Sequence, residues 1–129
     1  MIDKRLFVFV LMPFHQDFQD IYKLGIKQTA EDLGLRAERV DEQLYEEPML
    51  ERIYQQIKAA DIIVTDMTGQ NPNVFYEVGY AHAKGKRCIL LTRNASDIPF
   101  DLKQHRHIVH GGSISALKEE LTSNLQWAL

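Results

Sequence analysis

The chain has 129 residues, with 15 Lys and Arg against 18 Asp and Glu, a formal net charge of -3, and 45% hydrophobic residues. That length supports one domain with a substantial core and is too short for two ordinary ones, so residues 1–129 read as a single domain. A slightly acidic balance without any basic block argues against a non-specific grip on nucleic-acid polymers, while free nucleotides stay open as ligands.

The N-terminal stretch MIDKRLFVFVLM holds a short apolar run without a small-residue cleavage pattern. No segment approaches the ~20 apolar residues that a membrane span needs. A soluble, cytoplasmic chain with no membrane partner is expected. Leu6 to Met12 is continuously apolar and rich in β-formers, which suits a strand buried on both faces of a parallel sheet, and Pro13 stops it. From Asp17 to Leu33, Phe18, Ile21, Tyr22, Leu24 and Ile26 recur at helical spacing, with Gly34 as the stop. Leu35 to Val40 alternates like a strand with one wetter face, near the sheet edge.

Pro48, Met49, Ile53, Ile57 and Ala60 mark a second helix, with Pro48 in its first turn, where a missing N–H costs little. Ile62 to Thr65 is a third strand, Val74 to Lys84 a third helix ended by Gly85, and Arg87 to Thr92 a fourth strand. The lone Cys88 lies in that strand, so it has no intrachain disulfide partner; it fits a reducing compartment and reads most simply as a small core residue. A loop from Arg93 to Asp101, a short strand around His107 to His110, and a helix striped by Ile114, Leu117, Leu121, Leu125 and Leu129 with Ser113 as N-cap complete the chain. Short connections and right-handed crossovers make this an α/β protein, a flavodoxin-like three-layer sandwich with a five-stranded parallel sheet in the order 2-1-3-4-5.

Several chemistries lack their residues. There is no GxGxxG after the first strand and no GxxxxGK[ST]. Met12-Pro13-Phe14 stands where a phospho-receiver needs an acidic pair, although Asp66 closes the third strand as a phosphoacceptor would. The histidines show no metal-type grouping, no Gly-x-Ser-x-Gly elbow exists, and no cofactor is implied. What remains is a carboxylate. The segment Asp66 to Glu77 joins a buried-type strand to a loop of Thr68, Gly69, Asn71, Pro72 and Asn73 and then to a helix with Glu77 in its first turn. In open α/β sheets this edge gathers strand C-termini and helix N-termini, where anionic groups are favoured. A carboxylate there repels phosphate, so Glu77 is expected to face a sugar hydroxyl or an anomeric carbon.

The run Tyr76-Glu77-Val78-Gly79-Tyr80-Ala81-His82-Ala83 with Gly85-Lys86, preceded by Ala60-Asp61 and the polar loop, resembles the nucleoside 2-deoxyribosyltransferase superfamily, and in detail its TIR-like nucleotide-binding branch. The resemblance covers the central third of the chain. It implies Glu77 as nucleophile or oxocarbenium stabiliser in N-glycosidic bond cleavage or (deoxy)ribosyl transfer, a nucleoside, nucleotide or NAD-like ligand, and a homo-oligomer of at least a dimer. Where the superfamily usually carries an aspartate that serves the base, this chain has Ile53. A non-catalytic nucleotide-binding or signalling module of the same fold is the alternative that Ile53 favours.

Around Glu77 the residues divide between ligand and scaffold roles. Asp66 either serves the ribose or the leaving base, or satisfies loop donors. Thr68, Gly69, Asn71 and Asn73 are expected to offer groups to a phosphate, with Asn73 also suited to cap the third helix. Pro13 and Phe14 follow the first strand at the same edge, and Phe14 either stacks on a base or packs in the core. Gly79 leaves room beside Glu77 or allows close helix–strand packing. Tyr76, Tyr80 and Trp127 are candidates for a subunit contact, and Asp97, Pro99, Phe100 and Asp101 for a wall of the pocket.

Overall fold

The computed structural model describes residues 3–129. Its five strands, β1 (Phe7–Leu11), β2 (Arg36–Arg39), β3 (Ile62–Asp66), β4 (Cys88–Thr92) and β5 (His107–Val109), form one sheet in the order β2-β1-β3-β4-β5. Every neighbouring pair is parallel, with Val8 opposite Ala37 and Ile62, and Ile63 opposite Cys88. The expected topology is therefore the one observed. The residues of β1 and β3 are buried throughout, as strands covered on both faces must be, while edge strand β2 alternates between half-buried and buried.

Strand alternation splits the core in two. Val8, Val10, Ile62, Val64 and Leu91 face one layer with Tyr22, Ile26, Leu117, Leu121 and Leu125. Phe7, Phe9, Leu11, Ile63 and Leu90 face the other with Ile53, Ile57, Val74, Val78 and Ala81. The helices that supply these second residues are α2 (Met49–Ala59) and α3 (Pro72–Ala83) on one side, and on the other α4 (Ile114–Ala128) and the helical segment Ile21–Lys27, which leads into α1 (Gln28–Asp32).

The first helical region differs from the single helix expected over Asp17 to Leu33. A one-turn 3₁₀ segment, Gln16–Phe18, leads into a π-helical segment, Ile21–Lys27, that runs into α1. The wider π turn lets the backbone at Gly25 approach α4: a Cβ there would lie 2.7 Å from Leu117 Cδ2.

Two residues of the recognisable motif serve this scaffold. Asp61 Oδ2 accepts the Phe7 N–H at 2.7 Å and so ties the start of β3 to β1. Lys86 Nζ donates to the Lys58 and Ala60 carbonyls at 2.7 and 2.9 Å, capping the C-terminal end of α2 with the charge its dipole favours. No helix among the described residues is long and apolar enough to cross a membrane.

Candidate active site

A cavity of about 600 Å³ opens at the C-terminal edge of the sheet, between the segments that follow β1 and β3. In this strand order the chain turns one way after β1 and the other after β3, so the cavity occupies the topological switch point where such sheets bind ligands. Its walls are Met12, Pro13, Phe14 and His15 from the first segment, Met49, Leu50 and Ile53 from α2, and Asn71, Asn73, Val74, Tyr76 and Glu77 from the start of α3. Most of this lining is apolar. Phe14 and Tyr76, 41% and 63% exposed, offer aromatic faces at the opening.

Glu77 sits at a core-facing position of α3, on the stripe formed with Val74, Val78 and Ala81. The helix begins at Pro72 rather than Val74, which puts Glu77 in the second turn rather than the first. Helix-terminal dipole stabilisation falls off within one turn, so little of it reaches the carboxylate. The side chain is 9% exposed, and among the described residues no hydrogen-bond donor or cation reaches it. Burial alone raises its pKa from the ordinary 4.5 to about 7. An acid on an apolar wall without a protein partner is costly to the fold, and such groups concentrate at functional sites.

The loop before α3 satisfies itself. Asn71, not Asn73, is the N-cap: its Oδ1 accepts the Asn73 and Val74 N–H groups at 2.9 and 3.2 Å. Pro72 has no N–H, and the Phe75 N–H already bonds the Asn71 carbonyl. The Thr68 N–H is held by Asp66 Oδ1 and the Gly69 N–H by Asp97 Oδ2, at 2.9 and 2.8 Å, while Gln70 N–H donates to the Met67 carbonyl. Thr68 Oγ1 accepts the Arg93 N–H at 2.8 Å. The phosphate cradle expected from Thr68, Gly69, Asn71 and Asn73 is thus reduced to the Asn71 N–H, because the Asn cap and two aspartates have taken the Thr68, Gly69 and Asn73 amides.

The structure brings Pro13, Phe14, Asn71, Asn73 and Glu77 together at the cavity and leaves Asp66, Thr68, Gly69 and Gly79 outside its lining. Asp66 is fully buried in a tie to β5: Gly112 N–H donates to His110 Nδ1 at 2.9 Å, which leaves His110 Nε2–H to donate to Asp66 Oδ2 at 3.1 Å. Both of its oxygens are occupied, so the leaving-base role is not available to it in this geometry. Gly69 adopts φ +81 to make its turn, and Gly79 lies on the exposed face of α3 with open space around its missing Cβ, beside neither Glu77 nor a strand. The loop after β4 also stays away from the cavity: Asp97 holds Gly69, and Phe100 points to solvent.

Tyr76 and Tyr80 bracket Tyr54 in an aromatic ladder on the outer face of α2 and α3, with ring centroids 6.4 and 4.2 Å from that of Tyr54. His82 stacks on His105 at 4.6 Å, and burial with that neighbouring imidazole lowers its pKa. Met49, Leu50 and His15 were not singled out from sequence as site residues. Only the first two carried a signal, as apolar residues opening a helix ahead of its buried stripe.

Together these features define a flavodoxin-like α/β domain with an unpaired carboxylate in a mostly apolar switch-point cleft. No family model matches the chain, and no curated protein matches it. Among solved structures it is similar in fold to the 2-deoxyribosyltransferase of Leishmania mexicana, with a TM-score of 0.59 and 17% identity over 69% of this chain and 65% of that one. It is similar also to the 2-deoxyribosyltransferase of Bacillus psychrosaccharolyticus, with a TM-score of 0.58 and 21% identity over 68% and 73% of the two chains. The CMP N-glycosidase of Clostridium botulinum matches over 89% of this chain and 98% of its own, with a TM-score of 0.61 and 19% identity. At these identities the likeness is one of fold, and it is the fold that the motif resemblance implied.

Proposed function

We propose that the cavity binds a nucleoside and that Glu77 acts on its anomeric carbon as the N-glycosidic bond breaks, giving hydrolysis or transfer of a ribosyl or deoxyribosyl group. The observation that carries this reading is the buried, unpartnered carboxylate on the wall of a cavity of nucleoside size. Bond cleavage builds positive charge on the sugar, and a fixed carboxylate in a poorly solvated wall stabilises that charge or captures it as a glycosyl ester. Asn71 spends its Oδ1 on the helix cap, which leaves its Nδ2 hydrogens, with the Asn73 amide, for sugar hydroxyls. Phe14 and Tyr76 supply faces for a planar base.

The self-satisfied loop favours ligands without phosphate over nucleotides. A dimer or larger assembly belongs to the same reading, since Phe14, Met49, Leu50 and Tyr76 leave apolar surface exposed at the cavity mouth for a second copy to cover. Light scattering that gives the mass of one chain at high concentration would remove that part alone.

Ile53 in the wall favours one second reading, a binding module without turnover. The deciding experiment incubates the protein and Glu77→Gln with ribonucleosides, deoxynucleosides, nucleotides and NAD, and chromatographs for free base. Base release by the parent chain and not by the variant supports glycosyl chemistry. A nucleoside that raises the melting temperature of both and is cleaved by neither supports the binding module; ligand at 100 times its Kd stabilises by ~2.7 kcal/mol.

A further inference from the structure

We propose that the preferred substrates are phosphate-free nucleosides whose base carries a formal positive charge, such as N-ribosylpyridinium or N7-alkylated purine nucleosides. This inference rests on the reading of Glu77 given above and specifies its substrate class.

The argument begins with the leaving group. When the bond from the anomeric carbon to a neutral base breaks, the bonding pair leaves with the base as an anion, and an acid must supply a proton. The lining holds three titratable side chains, Glu77, His15 and Tyr76. Glu77 is needed as the carboxylate. His15 is a rim residue, its side chain 67% exposed and held only through Nδ1, which accepts the Asp17 N–H at 3.2 Å, so no hydrogen bond fixes its Nε2–H against a base in the cleft. Tyr76 is a phenol mostly in solvent. The position where the resemblance places an acid for the base is Ile53, 4% exposed and contributing only hydrocarbon. Asp66, the remaining buried acid at this sheet edge, is locked to His110 and Thr68.

A cationic base removes the need for that acid. The bonding pair neutralises the positive ring, which departs as a neutral molecule. Glu77 Oε forms the new bond to the anomeric carbon, and water then hydrolyses the ester, releasing the free sugar and one proton to solvent. The same charge complements the ground-state site. An unpartnered carboxylate and two aromatic faces in an apolar cleft are the groups that attract a flat cation. Phe14 has one face toward the Arg39 guanidinium, 5.3 Å away, but that cation is neutralised by a bidentate pair with Asp41 at 2.6 and 2.8 Å. No Lys or Arg is among the lining residues, and of the neighbouring loop amides only that of Asn71 is left over, so a phosphate on the sugar meets no cation and too few donors to offset its repulsion by Glu77.

The experiment compares N7-methylguanosine with guanosine, and nicotinamide riboside with NAD, by chromatographic base release from the full chain. Each rate is divided by the spontaneous rate of the same compound, because cationic nucleosides are intrinsically more labile. The expected result is at least a hundredfold higher corrected kcat/KM for N7-methylguanosine than for guanosine, a preference for nicotinamide riboside over NAD, and loss of both activities in Glu77→Gln. The pH profile for nicotinamide riboside, whose pyridinium ring has no proton to lose, should rise with ionisation of Glu77 and then stay level. Ile53→Asp, checked for folding by its melting curve, should gain activity on guanosine. Guanosine cleaved as well as its methylated form, or a nicotinamide riboside profile that falls again at high pH as a required acid loses its proton, overturns the proposal and leaves the glycosyl reading intact. No base released from any substrate overturns that reading itself.

Discussion

Glu77→Gln should change how the stability of the protein depends on pH more than it changes stability at any one pH. The carboxyl titrates near 4.5 when unfolded and at about 7 in the fold, where burial disfavours its charge. Below about pH 4 both states carry the proton and nothing is lost. Between these values the unfolded chain releases its proton while the folded one keeps it, so the folded state binds more protons and stability falls as pH rises. The cost grows by ~1.4 kcal/mol per pH unit and levels off above pH 7 at ~3 kcal/mol, a ceiling because the open side of the cleft admits water. Glutamine has no such titration. Relative to the parent, the variant should therefore gain ~2–3 kcal/mol between about pH 4 and pH 8, or roughly 10 °C in melting temperature for a domain of this size. Thermal and urea melts of both proteins across that range measure the difference. A constant offset between the two curves would mean that Glu77 ionises like a surface acid, and the account of its environment would fail.

Three further outcomes test the geometry. Gly79→Ala should stabilise by ~0.5–1 kcal/mol, because the position is an exposed helix interior with room for a methyl group, and a lower melting temperature would show that the residue is constrained by something else. His110→Ala should cost ~1.5–3 kcal/mol by removing one of the two donors to the buried Asp66 carboxylate, yet leave the affinity of cavity ligands within about twofold by titration calorimetry; a larger affinity loss would place Asp66 in the site. Cys88, half-buried with its thiol pushed up to about 12, should react with a thiol reagent at neutral pH far more slowly than an exposed thiol and recover the ordinary rate in denaturant, which a thiol-labelling time course will show.

The fold was legible because each strand and helix is coded locally: continuous apolar runs for β1 and β3, a half-wet alternation for β2, and proline or glycine at most boundaries. The π-helical turn was not, since a residue inserted into a helix leaves the apolar stripe only slightly blurred, and the close approach of Gly25 to Leu117 that goes with it spans most of the chain. Glu77 could be picked out as a carboxylate in a run of core-helix residues. The disposition of its neighbours could not. Whether Asn71 or Asn73 caps α3 depends on which oxygen reaches two amides at once, and whether Asp66 faces a ligand depends on a histidine 44 residues away. Met49 and Leu50 were hidden for a related reason: an apolar residue that lines a cleft and one that covers a core read alike in a sequence.

Asp61, Lys86 and the Asp66–His110 pair, which tie strands together and close the end of α2, lie outside the lining of the cleft, whose walls are drawn from three short segments; of the scaffold-binding side chains only the Asn71 cap reaches into it. Phe14, Met49, Leu50 and Tyr76 are all substantially solvated, so exchanging them disturbs little buried surface. Met12, Ile53 and Val74 are the exceptions among the apolar walls, since they serve core and cleft together. This division of labour makes the domain a ready host for altered ligand preference: new shapes and polarities can be written into four positions while the architecture that aims the carboxylate stays as it is.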